Sequence, residues 1–174
     1  MKSIKENDFF ARKSEEVARD LLGKFICRKN GDTEERFMIT ESEAYYHDEK
    51  DEDGKYFCYG VHKTKVNEPL YDIPGTWCIY DGLLLLSVTN ENYPDNVLIR
   101  SIKDESGTVY GPNAFAYELH LYQKDPNYCG CHGQFSLADD AALYLADGKE
   151  GREIVCNKRV NIKNSMKYNF QIEE

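Results

Sequence analysis

The sequence predicts an α+β fold: one domain, residues 1–174, with a mainly antiparallel β-sheet flanked by helices. Three observations predict it. Short apolar and β-branched runs are separated by turn pairs such as Asn30-Gly31, Pro74-Gly75 and Asp81-Gly82. One segment near the N-terminus has helical rather than alternating periodicity. No repeat, low-complexity tract or linker divides the 174 residues, which suffice for a single core.

Taken in order, Ser14 is placed to cap a helix over Glu15 to Leu22, with Val17, Ala18, Leu21 and Leu22 on one face. Glu15 and Glu16 suit its positive end and Gly23 its stop. Lys24 to Arg28 reads as a strand and Arg36 to Tyr46 as a second one across the Asn30-Gly31 turn. Residues 47–73 form a connection longer than an ordinary loop, which is either functional or wrapped on the body. Trp77 to Tyr80 and Leu83 to Thr89 form a hairpin around Asp81-Gly82, and Val97 to Ile102 is a further strand. Gly111-Pro112 opens a helix through Leu121, residues 122–135 form a loop, and strands follow at Ala142 to Leu145 and Glu153 to Cys156. Val160-Asn161-Ile162 is too short to classify.

Composition narrows the class. With 41% hydrophobic and 30% charged residues the chain is globular and not disordered. Its longest compact apolar run, Leu83 to Leu86, is far below a membrane span, so no membrane partner is expected. No apolar segment follows the N-terminal lysines, so a cytoplasmic location is expected. The six cysteines are expected as reduced, mostly buried thiols. Cys129-Gly-Cys131-His132 resembles half a metal site, but the other cysteines supply no second pair, so no metal is expected. The net charge of −9 weighs against nucleic-acid binding, because phosphate contacts dominate that affinity. The acid is concentrated, however: seven carboxylates and one lysine lie between Glu41 and Gly54. Basic groups remain at His62-Lys63-Thr64-Lys65 and at Lys158-Arg159 with Lys163 and Lys167. Asp51-Glu52-Asp53-Gly54 lacks the alternating ligand spacing of a calcium loop. Trp77 is expected in the core.

The second strand carries the chemistry. Strand periodicity puts residues 37, 39, 41, 43 and 45 on one face, so Glu43 and Tyr45 project together. A carboxylate beside an aromatic ring suits a flat ligand; the same pattern also describes an edge strand with a solvated acidic face. Tyr56, Phe57 and Tyr59 either line such a pocket or cover the sheet.

At these residues the chain resembles the alkyladenine (3-methyladenine) DNA glycosylases. Phe10-Ala11 with Val17 to Lys24 resembles the family's opening, and Glu41-Ser42-Glu43-Ala44-Tyr45 its Glu-Thr-Glu-Ala-Tyr catalytic strand. Pro74-Gly75-Thr76 resembles the next element and Val97-Leu98-Ile99-Arg100-Ser101 the Val-Leu-Ile-Arg-Ala strand. Gly111-Pro112 matches a helix start, and Arg159-Val160-Asn161-Ile162 resembles a late Arg-Val-Gly-Ile strand. Each match is weak; the ordered set is specific.

The resemblance implies a curved sheet and a cofactor-free, monomeric enzyme that flips a damaged purine out of double-stranded DNA and hydrolyses its glycosidic bond. It implies that Glu43 activates the water, that Arg100 fixes Glu43 and the water, and that Tyr45 stacks on the base. Lys55 takes the position of a pocket histidine, with His47 and His62 as spatial substitutes. Tyr80 is a candidate for the second stacking ring or for the wedge inserted into the duplex. Asp81 occupies the wedge position in a hairpin about two residues shorter than the family's. The family's pocket asparagine aligns near Val88, with Asn90 as the shifted candidate, and Asn113-Ala114 replaces a Gly-Lys pair that would meet phosphate.

Three functions follow from these residues. The first is a glycosylase for alkylated purines in DNA. The second is a divergent N-glycoside hydrolase of another substrate, suggested by Lys55, Asp81 and the acidity. The third is a non-catalytic nucleic-acid or nucleoside binding module, in which Glu43 is an ordinary strand carboxylate paired with Arg100.

Overall fold

Val17, Ala18 and Leu21 recur on one side of the segment Ser14–Leu21 and are fully buried, which makes this segment helical (α2) after a single turn of helix at Asn7–Phe10 (α1). Gly23, at φ +80°, ends it. The cap differs from expectation. Ser14 is the first helical residue and Lys13 holds the cap position without a side-chain bond. The buried Ser14 hydroxyl instead donates to the Asn96 carbonyl at 2.6 Å, so a tertiary partner replaces the local one.

The computed structural model describes residues 4, 7–30, 32–80, 82–112, 114, 118–119, 134–136, 143–148, 151–163 and 166–173. Among them are ten strands: β1 (Phe25–Asn30), β2 (Thr33–Tyr45), β3 (Thr76–Tyr80), β4 (Leu83–Ser87), β5 (Asn96–Lys103), β6 (Val109–Tyr110), β7 (Gln134–Ser136), β8 (Leu143–Ala146), β9 (Ile154–Asn157) and β10 (Asn169–Ile172). All pairings are antiparallel, in the order β7-β3-β4-β5-β2-β1-β8. β10 joins β2 and carries β9, and β6 joins β5. This is the curled, mainly antiparallel α+β fold that the sequence predicts. Residues 112, 114 and 118 are helical, as expected after Gly111-Pro112; Asn113, Leu121 and Ala142 lie outside the described residues.

Strand β2 organises the site because it is long enough for two partners on one side. β1 pairs with its residues 33–38, and β10 takes over along Glu41 to Glu43. β10 does not emerge from the sequence: four residues with two exposed or polar positions give no clear period. Alternation along β4 and β5 divides the apolar residues between two clusters. Leu84, Leu86, Val97 and Ile99 face the main core under α2, with Trp77 and Phe170. Leu85 and Leu98 face a second cluster with Tyr45, Cys58, Leu70 and Cys78. The 47–73 connection wraps this second face and contributes a 3-10 turn at Glu68–Tyr71. Gly75, at φ +97°, lets the chain pass Phe10, whose ring lies 2.8 Å from where a Cβ would stand. No described helix is long and apolar enough to cross a membrane.

Candidate active site

The first thing that builds the site is a break in strand period. Phe37 and Ile39 belong to the main core with Ala44, while Ser42 donates to the Ala18 carbonyl of α2 at 2.8 Å. Tyr45 belongs to the opposite cluster. Strict alternation would have put residues 37, 39, 43 and 45 on one face; the structure corrects this. Pairing with β5 runs Ile39↔Ile102, Glu41↔Ser101, Ser42↔Ile99, so β2 carries an extra residue at Thr40 and β5 one at Arg100. These compensating bulges turn Glu43 and Tyr45 away from α2 and place Arg100 beside them.

Glu43 has no exposed surface. Its Oε1 accepts from the Val160 amide at 2.7 Å and from Asn169 Nδ2 at 3.1 Å, and its Oε2 accepts from the Tyr45 hydroxyl at 2.9 Å. Arg100 Nε lies 3.9 Å from Oε2, too long for a hydrogen bond, and has no other hydrogen-bond partner among the described residues. A carboxylate offers about four lone-pair sites. Three are occupied among the described residues, two on Oε1 and one on Oε2, the oxygen nearer Arg100 Nε.

Two of these partners are not singled out by the sequence. Asn169 lies on the unexpected β10, opposite Glu43, and its Nδ2 also donates to Glu41 Oε1 at 2.6 Å. Val160 lies in a turn, not in a strand as the Arg-Val-Gly-Ile resemblance implies, and Asn161 takes the left-handed φ of +61° that a glycine would take. Arg159, one residue earlier, is fully buried. It donates to the Ala44 carbonyl at 3.0 Å and to Glu49 Oε1 at 2.5 Å.

Tyr45 is buried as well, at 1% exposure. Burial, with the Glu43 carboxylate beside it, pushes its phenol far above the usual range, so it stays a proton donor to Glu43. The Arg159 guanidinium sits 4.7 Å over its ring, and the Tyr59 ring meets it edge-on at 5.1 Å. Tyr80 is half-buried and stands 6.1 Å from Tyr59, so Tyr45, Tyr59 and Tyr80 form a row of rings leading from Glu43.

Other candidates stand apart. Lys55 is exposed, and its amide donates to Asp51 in a tight turn. His47 bonds Asp95 at 2.7 Å and meets the Tyr93 ring at a tilt, and His62 is exposed at the edge of Tyr56. Asn90 is exposed in the β4–β5 connection, while Val88 is in the main core. Asp81, Cys129, Cys131 and His132 lie outside the described residues, among which no group of three or more potential ligands could hold a metal ion. Cys27, Cys58 and Cys78 are free and buried, and Cys156 is free and half-buried.

Comparison with known proteins identifies the family. The profile of the family described as methylpurine-DNA glycosylase (MPG) matches residues 8–173. Relatives that carry the name "Putative 3-methyladenine DNA glycosylase" include the following three. One from Clostridioides difficile is 35% identical over 97% of this chain and 94% of its own length. One from Clostridium novyi is 30% identical over 89% and 85%. One from Oceanobacillus iheyensis is 27% identical over 86% and 80%. The chain belongs to the methylpurine-DNA glycosylase family and is, by that membership, a DNA glycosylase, a hydrolase of DNA repair.

Proposed function

We propose that this enzyme acts as a monomer on double-stranded DNA and hydrolyses the N-glycosidic bond of an alkylated purine of the 3-methyladenine type, after the damaged nucleotide turns out of the duplex, with Glu43 activating the water. The observation that carries this reading is the approach of Arg100 Nε, which has no hydrogen-bond partner among the described residues, to within 3.9 Å of Glu43 Oε2. A water held between them is oriented by both: the carboxylate accepts its proton and the guanidinium fixes its oxygen. That oxygen bonds to the sugar carbon as the carbon–nitrogen bond breaks. The electron pair of that bond leaves with the base, which departs neutral because alkylation had made it cationic. The carboxylate also offsets the positive charge that develops on the sugar.

The geometry supports roles for the neighbouring residues. Val160 and Asn169 fix Oε1, so only Oε2 is available to the water. A base stacked between Tyr45 and Tyr59 needs about 7 Å between the rings, two van der Waals separations. They are 5.1 Å apart, so binding moves Tyr59 toward Tyr80 or outward. Tyr80 then serves as the second ring or as the wedge.

The net charge of −9 favours a second reading, hydrolysis of a smaller N-glycoside that makes few phosphate contacts. Base release from duplexes carrying alkylated or deaminated purines, run beside the free nucleosides, separates the two. Release from alkylated duplex supports the first; release from nucleosides alone overturns it.

A further inference from the structure

We infer that Arg159 is a positioning residue that sets the geometry of the Glu43–Tyr45 pair from behind; the inference rests on the reading of Glu43 as the water-activating group. A guanidinium with no exposed surface is costly unless it is paired and hydrogen-bonded. Its partners are informative. Its Nη1 donates to the carbonyl of Ala44, the residue between Glu43 and Tyr45. Its Nη2 donates to Glu49, at the start of the connection that leaves β2. Its Cζ lies 4.7 Å from the Tyr45 ring centre, 5.0 Å from that of Phe57 and 5.5 Å from that of Tyr168. The next residue, Val160, gives its amide to Glu43 Oε1.

A buried arginine that only filled space would be tied to the core at large. This one bonds the end of β2, and its chain neighbour bonds the carboxylate that β2 carries. It therefore couples two things that the proposed chemistry needs together: the tilt of the Tyr45 ring and the placement of the Val160 amide. The planar fork explains the residue type. It bonds acceptors on two segments while its charge lies over aromatic rings, and the compact ammonium of lysine cannot do both. Tyr45 in turn donates to Glu43 Oε2, so displacement of Arg159 reaches both carboxylate oxygens, one through each route.

The test uses the full chain with Arg159→Met and Arg159→Lys. Two quantities are measured: single-turnover base release from duplex DNA carrying an alkylated purine, at saturating enzyme, and hydrogen exchange of the Val160 amide. Arg159→Met is expected to slow base release about 100-fold, the effect of a misplacement near 1 Å, with duplex affinity retained and Val160 exchange accelerated. Arg159→Lys is expected to lie between it and the wild type on both readouts. A wild-type rate together with wild-type Val160 protection in either variant overturns the inference. If Arg159→Met does not fold, Arg159→Lys decides by the same criterion. If the unmodified enzyme releases no base from any duplex, the proposed function fails; Val160 exchange still decides the role of Arg159, since loss of protection upholds the coupling and retention refutes it.

Discussion

The Tyr45 hydroxyl donates to Oε2 of Glu43 across 2.9 Å, from two residues along the same strand face. The ring proposed to hold the base thus also holds the proposed catalytic carboxylate. A hydrogen bond to a charged group contributes about 1.5–3 kcal/mol. Tyr45→Phe keeps the ring and removes this bond, so single-turnover base release is expected to fall about 10- to 100-fold with little change in duplex affinity. An unchanged rate in that variant would detach Tyr45 from the chemistry.

Asn169 bridges the two carboxylates of β2, with its Nδ2 2.6 Å from Glu41 and 3.1 Å from Glu43. Asn169→Leu fills the space and leaves the buried Glu43 oxygen with one donor fewer. The expected cost is about 1–3 kcal/mol, read as a lower midpoint in urea unfolding, together with slower base release. Loss of stability without loss of rate would make Asn169 a purely structural member of β10.

Alkaline pH is expected to destabilise the fold. Burial pushes the thiols of Cys58 and Cys78 from an ordinary 9.0 up to about 12. The buried Tyr45 phenol lies far above its ordinary 10.0, from burial first and Glu43 second. In each case the folded state keeps a proton that the unfolded chain releases. Their stabilising contribution is therefore complete below about pH 9 and is lost as pH rises from there toward 12. The slope reaches about 1.4 kcal/mol per pH unit for each group titrating only in the unfolded chain. Urea unfolding at about pH 8 and about pH 11 measures it, with a smaller loss expected in Cys78→Ser than in the parent. A midpoint independent of pH over that range would contradict the burial of these protons.

Much of this was legible in the residues themselves. The hairpins at 25–45 and 76–87, the helix at Ser14–Leu21 and the strand around Arg100 follow local pattern and lie within three residues of the expected bounds. Glu43 and Tyr45 were correctly put on one face, yet for an incomplete reason. The period counted from Phe37 is broken by the bulges at Thr40 and Arg100, which no local signal marks because they arise from pairing between distant strands. Asn169 and Arg159 were missed as site residues for a similar reason. Their bonds to β2 span 126 and 115 residues of sequence, and each looks locally like an ordinary polar surface residue. Ser14 shows the converse. Its local signal as a cap was sound, and the Asn96 carbonyl overrode it.

The central claim is that Glu43 takes a proton from the attacking water. Its most direct test is single-turnover base release from an alkylated-purine duplex by the parent enzyme and by Glu43→Gln, with duplex binding measured in parallel. Glutamine keeps the shape and cannot act as the base. The account predicts a loss of at least about 100-fold in rate with binding retained. A Glu43→Gln enzyme that releases base at the parent rate would contradict it.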